Sequence, residues 1–214
     1  MNATKEIKGN MKGEFVMPQD LGLVMLSSGE QFSIFYPERS EFKIIDIAHS
    51  LSNICRFNGH CKHFYSVAQH SIAVKELMRN HGEDAVMQMY GLTHDVSEFV
   101  CADLQSTFKK CLSGYKEIED KIEKAFYDTY DIPQPSEEQR VVIEEYDKMA
   151  LYVEAKSLMH GFRNMVNVRD YGVLNYPIKE ELPSDVKAAF FWEFYKLTCN
   201  IQRLNEQLKL AECV

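Results

Sequence analysis

No proline stands between Pro37 and Pro133, so nothing in that stretch breaks a helix by ring clash or by a missing N–H donor. Long apolar runs are also missing. None approaches the ~20 residues of a membrane helix, and the opening MNATKEIKGN lacks the apolar core of a signal peptide. No membrane partner and a cytoplasmic location are therefore expected. The six cysteines, Cys55, Cys61, Cys101, Cys111, Cys199 and Cys213, include no CxxC or other paired-thiol spacing. A structural zinc site has no support, and without a secretory signal the thiols are expected to be reduced. An excess of basic charge is lacking as well: 24 Lys and Arg face 32 Asp and Glu, a net charge of -8. Duplex nucleic acid is bound largely by neutralising phosphates, so that class of partner is excluded, whereas a small anion in a local basic pocket is compatible.

What is present is ordinary globular material. With 214 residues, 45% hydrophobic and 26% charged, the chain suits one domain that buries roughly 70% of its unfolded surface. No repeat or internal boundary divides residues 1–214. Phe64, Val67, Ala68, Val74, Leu77 and Met78 recur mostly at three and four, the helical period. Residues 84–99 also read as helix, interrupted only by Gly91, where a small residue allows close packing. After the Pro133 to Pro135 linker, Ser136 and the acidic residues behind it open a helix whose stripe is Ile143, Ala150, Leu151 and Leu158. Residues 116–130 and 184–209 pattern as helices, and residues 13–36 leave room for a short strand pair. The fold class is all-α, a compact bundle with a short N-terminal hairpin.

The informative anomaly is ionisable residues inside apolar stripes, because uncompensated burial costs several kcal/mol. His70 lies among Val67, Ala73, Val74 and Leu77, and Asp147 among Ile143, Ala150 and Leu151. Between them the helix Gly91 to Glu98 (GLTHDVSE) carries the adjacent His94 and Asp95, with Glu98 one turn after His94. Singly, each has an ordinary explanation as a hydrogen-bonded core residue or a solvated helix end. Jointly, three inward-facing helices offer two imidazoles and two carboxylates, which is how helical bundles hold a metal in their core.

The segments IDIAH (45–49), CRFNGH (55–60), FYSVAQHS (64–71) and GLTHDVSE (91–98), together with Asp147, occur in this order and resemble the HD-domain metal-dependent phosphohydrolases. Within that superfamily the likeness is to the bacterial and phage branch of 5'-deoxynucleotidases. It runs from about residue 30 to residue 160, leaving 161–214 as a C-terminal helical extension. The resemblance implies one divalent ion, manganese, cobalt, zinc or iron, held by His70, His94, Asp95 and Asp147. It implies Glu98 as general base and Asp103 as a second acidic group at the leaving oxygen or the water. Arg56 falls at the position that reaches substrate phosphate, and Lys109 at that of a basic residue beyond Asp103 that is expected to bind a further phosphate. His60 belongs to the motif beside the substrate. Phe57 stands where close relatives often carry Trp against the sugar, and Leu104 to Phe108 (LQSTF) lacks the prolines common in that loop.

The expected activity is release of phosphate from (deoxy)nucleoside monophosphates. A triphosphohydrolase or pyrophosphohydrolase acting on nucleoside triphosphates is the alternative, and a non-catalytic nucleotide-binding regulator is a third reading. Helical domains of this kind frequently pair, so a homo-oligomer is expected.

Overall fold

The computed structural model describes residues 22–161 and 178–211. Residues 13–21 of the expected strand pair, and 162–177 and 212–214 of the extension, lie outside the described residues. The architecture is helical with one small hairpin. Strands β1 (Leu23–Met25) and β2 (Gln31–Ser33) pair antiparallel, with Val24 opposite Phe32. Asp46, in the first turn of helix α1 (Ile44–Asn53), ties the hairpin turn down: its Oδ1 accepts from Ser27 Oγ at 2.5 Å and from the Ser28 amide at 2.8 Å.

Helix α2 (Val67–Asn80) is the centre of the bundle, packed against α1, α3 (Ala85–Thr93), α7 (Glu137–Leu158) and α8 (Pro183–Ala211). Buried residues surround its axis, including Val67, Ala68, His70, Val74, Lys75 and Met78, as expected of a helix with neighbours on every side. The approach of α3 is set by Gly91. A Cβ there would lie 2.5 Å from Met78 Sδ and 3.3 Å from Val74 Cγ1, so the sequence gap read at Gly91 is a packing device. Helix α8 covers α1 and α3 with Val186, Phe190, Phe194, Leu197 and Ile201, each stabilising by about 1.5–3 kcal/mol when fully buried. The buried Lys75 links α2 to α8 through Glu193 at 2.6 Å.

Two sequence expectations shift. The helix read over 84–99 is two pieces: α3 ends at Thr93, and a separate turn α4 (Glu98–Cys101) follows. The amides of Val96 and Glu98 bond the carbonyls of Thr93 and Asp95, three residues back instead of four, so the backbone tightens between His94 and Glu98. On α7, Leu151 is exposed, and the buried line is Ile143, Tyr146, Ala150, Glu154 and Leu158. Two further helices, α5 (Ser106–Lys109) and α6 (Tyr115–Thr129), connect the site loop to α7.

Candidate metal centre

The helix starts fix the positions of the inward side chains. Ser66 caps α2 by accepting from the Gln69 amide at 3.2 Å while Gln69 Oε1 accepts from the Ser66 amide at 2.9 Å. This reciprocal cap satisfies two otherwise orphaned donors and places His70 one turn inside the helix. Ser136 and Gln139 cap α7 in the same way, so Asp147 and Glu154, seven residues apart, fall on one face two turns from each other. The tight turn after α3 brings His94 and Asp95 inward together.

These elements converge. His70 Nε2 lies 3.2 Å from His94 Nε2, 3.7 Å from Asp95 Oδ2 and 3.0 Å from Asp147 Oδ1. His94 Nε2 lies 3.2 Å from Asp95 Oδ2 and 3.9 Å from Asp147 Oδ1. Ligand atoms on one ion with bonds of about 2.0–2.2 Å stand about 3–4.4 Å apart, and all five separations fall in that interval. His70, His94 and Asp95 thus form a buried cluster that could hold a metal ion, and Asp147 borders it.

The outer ring nitrogens decide which way the imidazoles present their lone pairs. His70 Nδ1 meets Glu154 Oε1 at 2.8 Å, and His94 Nδ1 meets the Gly91 carbonyl at 3.0 Å. Both partners are acceptors, so each Nδ1 carries a proton and each Nε2 is left facing the other. Nε2 atoms facing each other at 3.2 Å repel as lone pairs unless a proton or a metal ion lies between them. The donor set therefore fits a metal ion with mixed nitrogen and oxygen ligation.

The electrostatics agree. Burial works against His94 becoming charged, but Asp95 and Asp147 outweigh it and hold its pKa up at about 9. Burial likewise opposes ionisation of Asp95, yet His94, His70 and Arg56 keep its carboxyl well below the usual carboxylate range. The carboxylates favour positive charge at this point, carried by the imidazoles or by an ion.

Around the cluster, Arg56 is buried, with Nε donating to Glu154 Oε2 at 3.1 Å and Nη1 3.7 Å from Asp95 Oδ2. Its guanidinium carbon stands 5.6 Å from the Phe57 ring centre. Glu98 is buried: Oε1 accepts from Lys109 Nζ at 2.9 Å, and Oε2 has no hydrogen-bond partner. Burial pushes the Glu98 carboxyl well up, Asp95 and Asp103 push it further, and Lys109 pulls it back. Asp103, half-buried, is raised by burial against the opposing pull of Arg56. Lys109 is also bound to Glu119 at 2.8 Å. His60 is exposed at the end of the Arg56–Gly59 turn.

No protein-family model matches the sequence. The uncharacterized protein YfdR of Escherichia coli K12 is 36% identical over 113 residues, 53% of this chain and 61% of YfdR. The matched region thus spans less than two thirds of YfdR. An uncharacterized protein of Rhodobacter capsulatus is 30% identical over 176 residues, 76% of this chain and 89% of that protein. The chain belongs to that family. This family membership covers the sequence at large and assigns no chemistry to the cluster.

Two features of this family member escape the sequence reading. Glu154 joins His70 to Arg56, and its signal was a carboxylate seven residues after Asp147 on the buried line of α7. An opening of about 230 Å3, lined by His94, Asp147, Lys116, Glu123, Tyr127 and Arg140, gives solvent access to two of the clustered side chains. Arg140 and Glu123 are paired across it at 3.0 Å. Neither residue carries a sequence motif.

Proposed function

We propose that the protein is a metal-dependent phosphohydrolase of nucleotides that releases orthophosphate from (deoxy)nucleoside monophosphates. The observation that carries this reading is the pair of imidazole Nε2 atoms turned toward each other at 3.2 Å between carboxylates, set beside a buried carboxylate oxygen with no partner. His70, His94, Asp95 and Asp147 would hold the ion. When bound, a divalent ion there supplies charge to phosphoryl oxygens and lowers the pKa of water from 15.7 towards ~7.

The side chains do the rest. Glu98, whose carboxyl is held well above its ordinary pKa and is thereby a stronger base than a free carboxylate, takes the proton from water as its oxygen attacks phosphorus. The P–O bond to the sugar breaks, and Asp103, also raised, gives its proton to the departing oxygen. Arg56 spends its Nε on Glu154 and keeps its terminal N–H groups for the phosphate, whose oxygens match that planar fork. Phe57 packs beside the guanidinium, the exposed His60 at the end of the same turn would meet the substrate, and Lys109 tunes Glu98.

The test is a panel of nucleoside mono-, di- and triphosphates incubated with protein loaded with manganese, cobalt, zinc or iron, with products resolved by chromatography. Orthophosphate from monophosphates is the expected outcome. Inorganic tripolyphosphate from triphosphates, or nucleotide binding with no hydrolysis under any ion, overturns it.

A further inference from the structure

Next to the metal centre is a cleft of about 470 Å3 lined by Asn58, Leu104, Gln105, Thr107, Phe108 and Cys111. One wall is the Arg56–Gly59 turn and the other is the loop from α4 into α5. Asn58 is two residues beyond Arg56 and Leu104 directly follows Asp103. The Cα atoms of Asn58 and Leu104 are thus within about 7 Å of those of Arg56 and Asp103, the residues assigned to phosphate and leaving oxygen. None of the lining side chains is charged.

The lining chemistry narrows the ligand. Phe108 leaves 55% of its surface exposed, and Leu104 adds a second apolar face. Asn58 and Gln105 each bring two donors and a carbonyl acceptor, and Thr107 a hydroxyl. A phosphate would find no cation here. An aliphatic chain would leave the amides unpaired, which is costly on burial. A neutral, planar heterocycle with alternating donors and acceptors on its edge satisfies both the flat apolar surface and the amides.

Backbone strain is concentrated on the same two walls. Phe57 (φ 54°) and Asn58 (φ 51°) are consecutive left-handed residues, and Ala102 stands at φ 66°, ψ 160°. Non-glycine residues hold such conformations only when the surroundings enforce them, and such residues cluster at ligand sites.

We propose that this cleft receives the nucleobase, with Phe108 stacking on its face and Asn58 and Gln105 reading its edge. Asn58 and Gln105 are then specificity-determining residues. This rests on the reading of the metal centre as a nucleotide phosphohydrolase.

The test compares manganese-loaded protein on the four deoxynucleoside monophosphates and on 2-deoxyribose 5-phosphate, which lacks the base. It also measures iodoacetamide alkylation of the exposed Cys111, by peptide mass spectrometry, with and without the phosphate-free nucleosides. A kcat/KM at least ~10-fold higher for one nucleotide than for the sugar phosphate is expected, in the range of one stacked base. Gln105→Ala and Phe108→Ala should shrink that ratio by a similar factor, and the preferred nucleoside should slow Cys111 alkylation. Equal turnover of sugar phosphate and nucleotides by the unaltered protein overturns the base pocket and leaves the hydrolase reading standing. If no ester is cleaved under any ion, the hydrolase reading fails and Cys111 decides the pocket: protection by a nucleoside upholds it, and unchanged alkylation overturns it.

Discussion

Glu154 holds His70 Nδ1 with one carboxylate oxygen at 2.8 Å and Arg56 Nε with the other at 3.1 Å. All three side chains are buried. One carboxylate thereby orients an imidazole of the candidate metal cluster and the guanidinium assigned to phosphate, so the proposed ion and phosphate sites share a support.

Glu154→Gln keeps the shape of that support and removes its charge. Metal affinity is expected to fall about 10–100-fold, the usual effect of losing a carboxylate behind a ligating histidine. Competition with a chromogenic chelator measures it, and an unchanged dissociation constant would detach Glu154 from the centre.

Asp95, like Asp147, is faced by both histidines, at 3.7 and 3.2 Å. Asp95→Ala is expected to abolish metal retention and turnover together. Elemental analysis after dialysis checks the first and orthophosphate release the second. Full turnover in the variant would refute the ligand assignment.

Glu98→Gln, by contrast, should retain the ion and lower kcat by about 10²–10⁴-fold, the range for a positioned base. The acid limb of the pH–rate profile is expected to report Glu98. Its carboxyl is raised above the ordinary 4.5 and must be ionised to accept a proton, so the rate climbs as pH rises through that raised pKa. Lys109 lowers this pKa, and Lys109→Met should therefore move the limb to higher pH. A limb that stays in place would show that another group titrates.

Ala102 occupies a backbone region that suits glycine, at φ 66°, ψ 160°. Relief of about 1–3 kcal/mol of strain exceeds the 0.5–1 kcal/mol entropic cost of glycine. Ala102→Gly is expected to raise stability by about 1 kcal/mol in urea denaturation, and a destabilised variant would contradict the strain.

Asp46 binds the hairpin turn. Burial works to raise its pKa, but hydrogen bonds from Ser27 and Ser28 prevail and lower it below 3.8. A depressed carboxylate stabilises the fold above its unfolded pKa and loses that contribution as pH falls through the folded value. Asp46→Ala should cost about 1–2 kcal/mol at neutral pH, with the difference from the unaltered protein fading below about pH 3.8. A loss that is independent of pH in thermal unfolding would refute the charge-based account.

Much of the candidate site was legible because its residues break the pattern around them. His70 in an apolar helix, and His94 beside Asp95 in another, stand out wherever polarity contradicts periodicity. Glu154 did not stand out: on α7 it is one of several glutamates, and only contact with α2 distinguishes it from Glu144 or Glu145, which face solvent. The break between α3 and α4 was hidden for a related reason. His94 to Glu98 is compatible with helix, and the tightening to three-residue hydrogen bonds follows from the inward pull on two adjacent side chains.

The amino-acid order by itself determined the long helices, the cap at Ser136, the close approach at Gly91 and the polar residues carried inward. These are local consequences of periodicity, side-chain size and hydrogen-bonding reach. The tertiary structure alone decided that His70, His94 and Asp95 cluster with Asp147 at their border, that Glu154 stands behind His70, and that Asn58 and Gln105 share a cleft. Distance between residues remote in sequence is set by how helices pack, and no local preference encodes it.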